Sequence, residues 1–153
     1  MYQEKNKKQL NICFGSKIIP STLKEIFDEE FNSIITYSQK SALKDFIKFS
    51  HIDIVLFNKD QSPNLYEELI KLRKSYPDLL IFICAETFTP DDLVQCIDLK
   101  IDGRLLNNYK KEILKEIVLL RSIKYLQQQK HIRKYLEKQS ILSKKKRSFF
   151  STK

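Results

Sequence analysis

From Leu10 to about Leu120, short apolar runs alternate with amphipathic stretches, a pattern that predicts five strand–helix units. The strand-like runs are residues 10–14 (LNICF), 33–37 (SIITY), 52–57 (IDIVLF), 79–85 (LLIFICA) and 104–106 (RLL). Two of them, 52–57 and 79–85, are nearly all apolar, as strands covered on both faces must be. The stretches between them place apolar residues at helical spacing: Leu23, Ile26, Phe27 and Phe31 in the first, Tyr66, Leu69, Ile70 and Leu72 in the third. Thr22, with Glu25 three residues on, reads as a capping box opening the first helix. A second helix is expected over 41–49, and Pro77 stops the third. Thr89-Pro90-Asp91-Asp92 opens the fourth, with proline at its first position and acids in its first turn. The last helix starts near Tyr109. Five such units with short connections predict a doubly wound, mostly parallel α/β sheet.

Composition bounds the class. With 153 residues and 42% apolar content, the chain is long enough to bury a real core. It has no apolar run of membrane-spanning length and no apolar centre near its start that a secretory signal needs. A cytoplasmic protein is expected. Cys13, Cys84 and Cys96 fit neither a disulfide framework nor a zinc spacing, so they read as buried structural thiols.

The net charge of +9 is unevenly placed. Residues 1–120 carry 17 Lys/Arg against 18 Asp/Glu, whereas residues 121–153 carry 11 Lys/Arg against Glu137 alone. The basic balance therefore belongs to the end of the chain. Two regions are expected, a domain over 8–122 and a basic helical extension and tail over 123–153.

The run HIDIVLFN, ending at Asn58, resembles the third strand of the receiver domain of bacterial two-component response regulators. Three further segments support the resemblance by their order and spacing. YSQKSAL (37–43) is similar to the segment after that family's second strand, YPDLLIFICA (76–85) to the approach to its fourth, and CIDLKIDGRLL (96–106) to the run before its fifth. The resemblance implies a flavodoxin-like (CheY-like) five-stranded parallel sheet of order 2-1-3-4-5, followed here by an extended C-terminal helix. It also implies a site at the carboxyl ends of the strands. In that family two acids after strand one and an aspartate ending strand three hold Mg²⁺, and the aspartate accepts a phosphoryl group. A hydroxyl at strand four and a lysine at strand five contact that group.

Mapped residue by residue, these positions here are Gly15 and Ser16, Asn58, Cys84 and Asn107. A register error cannot restore the acids, because no Asp or Glu lies between Glu4 and Glu25. The aromatic that commonly reports the family's switch falls at Arg104. The reading is a degenerate pseudo-receiver that binds no cofactor or metal and acts through protein contacts. Asp60 and Glu86, near the same face, read as solvated loop acids.

Enzyme chemistry has no further support. His51 and His131 lack partners for a triad or a metal, and two glycines, Gly15 and Gly103, cannot build a phosphate loop. The expected contact surfaces are the face formed by helix four, strand five and helix five, with Arg104, and the extended last helix. That helix is expected to reach about Leu136. Val118, Tyr125, Ile132 and Gln139 recur every seven residues with Arg121, Gln128, Tyr135 and Leu142 between them, a half-polar seam open to two readings: self-association or a solvated helix. Lys144, Lys145, Lys146 and Arg147 follow, then Phe149 and Phe150. This cluster reads as a solvated terminus or as a weak polyanion-binding element, and nucleic-acid binding through it is the alternative function.

Overall fold

The computed structural model describes residues 10–31, 33–35 and 43–151, and the side chains of these except 33–35 and 143–151. The elements run β1 (Asn11–Phe14), α1 (Ser21–Glu30), β2 (Ser33–Ile35), α2 (Leu43–Phe49), β3 (Ile54–Asn58), α3 (Leu65–Ser75), β4 (Leu80–Ala85), α4 (Pro90–Asp98), β5 (Gly103–Leu106) and α5 (Lys111–Ser151). A single 3₁₀ turn, Lys59–Gln61, follows β3. The expected ends of the second strand at Tyr37 and of the second helix at Ser41 lie outside the described residues.

All strands pair in parallel, in the order β2-β1-β3-β4-β5. The two-residue alternation of each strand feeds two separate apolar layers. Ile12, Phe14, Ile54, Leu56, Phe82 and Leu105 face α1 and α5. Cys13, Val55, Phe57, Ile81 and Ile83 face the other way, with Leu43 and Ile47 of α2, Leu65, Leu69 and Leu72 of α3 and Cys96 of α4. Every residue of β3 and β4 is buried, which is why their sequences show almost no polar alternation. Such double coverage leaves the loops at the carboxyl ends as the place for chemistry.

Three local expectations are corrected. Thr22 does not cap α1: the helix begins at Ser21, its N-cap is Pro20, and no side chain caps it. Seating Ile19, Leu23, Ile26 and Phe27 in the core fixes this register over the weaker capping signal. Strand three begins at Ile54, two residues late, because His51 takes a positive φ of 52° in the turn before it. The last helix does not stop near Leu136. It continues to Ser151, 41 residues in all, or about 60 Å of helix. It crosses residue 122 without a break, and Tyr125 and Leu126 still pack against the core.

The base of α5 is fastened to α1 by Lys111 to Glu25 and Glu29, at 3.4 and 3.1 Å, and by Lys115 to Glu30 at 3.2 Å. Among the described residues no helix is long and apolar enough to cross a membrane.

Candidate functional site

Asn58 is the last residue of β3 and lies 5% exposed at the carboxyl edge of the sheet. Both ends of its side-chain amide are engaged. Nδ2 donates to the Ile18 carbonyl at 2.9 Å, and Oδ1 accepts the Asp60 N–H at 3.1 Å, capping the 3₁₀ turn. Its backbone N–H donates to Ser16 Oγ at 2.8 Å, and Ser16 Oγ lies 3.2 Å from Ser62 Oγ. Ser16 and Ser62 are both buried. One neutral network thus joins the loop after β1 to the end of β3 and the loop beyond it.

Gly15 sits at the tightest point of this junction. Its N–H donates to the Leu56 carbonyl at 2.8 Å, and a Cβ would run into the ring of Phe57. Gly15→Ala is expected to cost about 1–3 kcal/mol in denaturant titration, because the ring has to leave a packed position. Wild-type stability in that variant would show that the approach is not close.

The remaining positions spread along the same edge. Cys84 pairs in register with Asn58, but its thiol is fully buried. Burial, with the Asp60 carboxylate adding to it, pushes that thiol up to about 12. Asn107 follows β5 and donates its N–H to the Ala85 carbonyl at 2.9 Å. Its buried Oδ1 has no hydrogen-bond partner among the described residues. The structure therefore brings Gly15, Ser16 and Asn58 together, sets Cys84 beside them, and leaves Asn107 on the neighbouring strand end.

A resident Mg²⁺ does not fit these residues. The ion takes oxygen ligands of high charge, whereas the groups here are two amides, two hydroxyls and a thiol. Among the described residues there is no group of three or more His, Cys, Asp or Glu side chains able to hold a metal. The nearby Asp60 is not a free acid either: Oδ2 accepts the Glu86 N–H at 2.9 Å and ties the loop after β3 to the loop after β4.

Sequence reasoning missed a second tether beside it. Lys59 Nζ reaches Asp92 Oδ2 at 2.5 Å and the Thr87 carbonyl at 3.1 Å, and lies 5.8 Å from the centre of the Phe88 ring. Asp92 also closes a capping box with Thr89, its Oδ2 accepting the Thr89 N–H at 2.8 Å, while Oδ1 accepts the Tyr66 hydroxyl at 2.8 Å. Burial alone would raise this carboxyl. The hydrogen bonds from Lys59, Thr89 and Tyr66 outweigh it and hold Asp92 at about 2. Burial and the Asp92 bond push the Tyr66 phenol well above its ordinary value. The signal in the sequence was the lysine directly after the strand end and the Thr-x-x-Asp spacing of 89–92.

On the other side of β5, Arg104 is exposed. It borders a shallow groove with Ile97, Lys100, Ile117 and Arg121. Ile97, 72% exposed, and Ile117 give this face an apolar centre, and Lys100, Arg104 and Arg121 surround it with cations, the carboxylate of Asp102 being paired with Arg73 at 3.5 Å. On α5, Tyr125 is half-buried against the core and Ile132 is 50% exposed. Val118 is fully buried, so the expected seven-residue seam cannot begin there. Lys144, Lys145, Lys146 and Arg147 fall within the helical span of α5, and their side chains lie outside those described.

No protein-family model and no curated protein sequence matches the chain. Solved structures do match in fold, several of them response regulators or their receiver domains. A response regulator from Thermotoga maritima superposes with a TM-score of 0.64 at 13% identity, over 74% of this chain and 98% of that one. A CheY-like receiver domain protein from Methanospirillum hungatei gives 0.65 at 16% identity, over 78% and 98%. A chain carrying the yeast Spc42 trimeric coiled coil as a fusion gives 0.65 at 10% identity, over 90% and 95%. At these identities the likeness establishes a CheY-like α/β fold with a parallel sheet.

Proposed function

We propose that this chain is a pseudo-receiver: a signalling module of the two-component class that accepts no phosphoryl group and works through protein contacts. One observation carries the reading. The side chain at the acceptor position is a neutral amide whose donor and acceptor are both consumed within the protein, by the Ile18 carbonyl and the Asp60 N–H. A neutral amide is neither a nucleophile for phosphoryl transfer nor an anionic metal ligand.

The two tethers from the loop after β3, Lys59 to Asp92 and Asp60 to the Glu86 N–H, favour one fixed arrangement of the loop after β4. Contacts would then be made by a permanently presented surface, the α4–β5–α5 face. Its apolar centre and the cations Lys100, Arg104 and Arg121 fit a partner patch that is apolar with an acidic border. Intact-mass measurement after treatment with acetyl phosphate tests the silent site. Ile97→Asp together with Arg104→Glu, at unchanged thermal stability, is expected to weaken capture of the cognate signalling partner.

The charge of residues 121–153 favours a second reading, non-specific binding of nucleic acid by the basic extension. Engaging about five phosphates predicts a slope of log K against log salt near −4 to −5 on duplex DNA. Neutralising Lys144, Lys145, Lys146 and Arg147 together is expected to flatten it. Absence of any polyanion binding at low salt removes this reading.

A further inference from the structure

We infer that the projecting part of α5 is one strand of a parallel, two-stranded coiled coil formed with a second copy of this chain. Past Tyr125 and Leu126 the core no longer reaches this helix. An uncharged stripe nevertheless continues outward along the face that carries Leu114, Val118 and Tyr125 inside the domain. Counting heptads on from Tyr125, which itself packs on the core, a holds Ile132 and Gln139, and d holds Gln128, Tyr135 and Leu142. Position e holds Gln129 and Leu136. The exposed apolar members are bare over half or more of their surface: Ile132 50%, Tyr135 62%, Leu136 59% and Leu142 52%. All five charged residues between Tyr125 and Leu142 lie off this stripe: Lys130, Arg133, Lys134, Glu137 and Lys138. Arg133 and Glu137 pair with each other at 3.1 Å on the outer face. The seam ends where its next a position is Lys146.

Charge also selects the occupant and its direction. In a parallel pair the g residues Lys124, His131 and Lys138 meet e residues of the partner, which are Gln129, Leu136 and Ser143. No two cations then face each other. An antiparallel pair would set g against g and bring Lys124 to Lys138. An acidic partner helix would seek cations flanking a seam at both e and g, and here e carries none. A 41-residue helix projecting far beyond its core also gains from a second strand, because a helix without packing is marginal in water.

The inference rests on reading the last helix as a protein-contact element. The test is sedimentation equilibrium of the full chain across concentration and salt. A monomer–dimer equilibrium is expected that strengthens with salt, because screening relieves the repulsion of two basic tails. Polyanion binding would weaken with salt instead. Gln139→Leu is expected to tighten association about tenfold or more by burying a leucine in each strand. Lys134→Leu, on the outer face, should leave it unchanged. Ile132→Asp with Leu142→Asp should give a monomer with the circular dichroism of an intact domain. Gln139→Cys should form an interchain disulfide on mild oxidation, as an in-register parallel pair requires, whereas Lys134→Cys should not. A chain that stays monomeric even as Gln139→Leu overturns the pairing, as does a trimer. A monomer that instead binds DNA or anionic vesicles overturns both the pairing and the contact reading beneath it.

Discussion

Incubated with acetyl phosphate and Mg²⁺, the protein is expected to keep its unmodified mass. Transfer of the kind the receiver resemblance implies needs a carboxylate nucleophile and a metal to gather the phosphate oxygens. At the position that the proposed reading takes as the acceptor stands the amide of Asn58, and at its strand-one positions stand Gly15 and Ser16. Asn58→Asp is expected to stay unmodified as well, since a single acid leaves the metal without its other anionic ligands. That variant should also be less stable, by about 1–3 kcal/mol, because a carboxylate oxygen would replace the Nδ2 donor facing the Ile18 carbonyl. Asn58→Ala should lose a similar amount, leaving that carbonyl and the Asp60 N–H unpaired. A stable phosphoryl adduct on the wild type would sink the pseudo-receiver reading. An adduct on Asn58→Asp alone would show that other groups complete the metal site.

The second large effect is expected at Asp92. Asp92→Ala removes the ion pair with Lys59, the acceptor for the Tyr66 hydroxyl and half of the capping box. Lost together, these should cost about 3 kcal/mol in chemical denaturation, the low end for breaking a largely buried pair. Acid should reproduce part of it. The carboxyl is held at about 2 in the folded chain, below the ordinary carboxylate value near 4. Its contribution is therefore fully present above about pH 4 and is lost as pH falls toward about 2, by about 2 kcal/mol. In Asp92→Asn this part of the acid limb should flatten. An unchanged limb would mean that the tether contributes nothing to folding.

The sheet was legible because fully covered strands must be apolar on both faces, and 54–58 and 80–85 could hardly be anything else. The site was legible only as a set of substitutions. Asn58, Gly15 and Ser16 were placed by counting from strand ends, but nothing in the sequence showed that Asn58 would bond to a main-chain carbonyl at Ile18. Main-chain partners leave no trace in residue type. Ser62, in a short run before Pro63 with no pattern of its own, proves to be buried beside Ser16. Asp60 reads in sequence as a solvated acid and is exposed, but its bond to the Glu86 N–H was not legible, since a carboxylate accepting a backbone N–H across two loops looks like any other loop acid. The end of α5 was set too early because the polar stretch beyond Leu136, with Lys144, Lys145, Lys146 and Arg147, reads as a solvated terminus, although lysine and arginine are themselves good helix formers.

Cys84, buried in β4 opposite Asn58, gives the protein a practical property. Its thiol stays protonated at any ordinary pH, and Cys13 and Cys96 are buried too. Nucleophilic sulfur requires both the thiolate and access. The native chain should therefore be silent toward maleimides and mild oxidants while folded. A cysteine introduced on its surface would then be the sole reactive thiol, open to spin labels, fluorophores or cross-linkers without removing the native three. Rapid labelling of the untouched protein would in turn report that the carboxyl edge of the sheet opens to solvent.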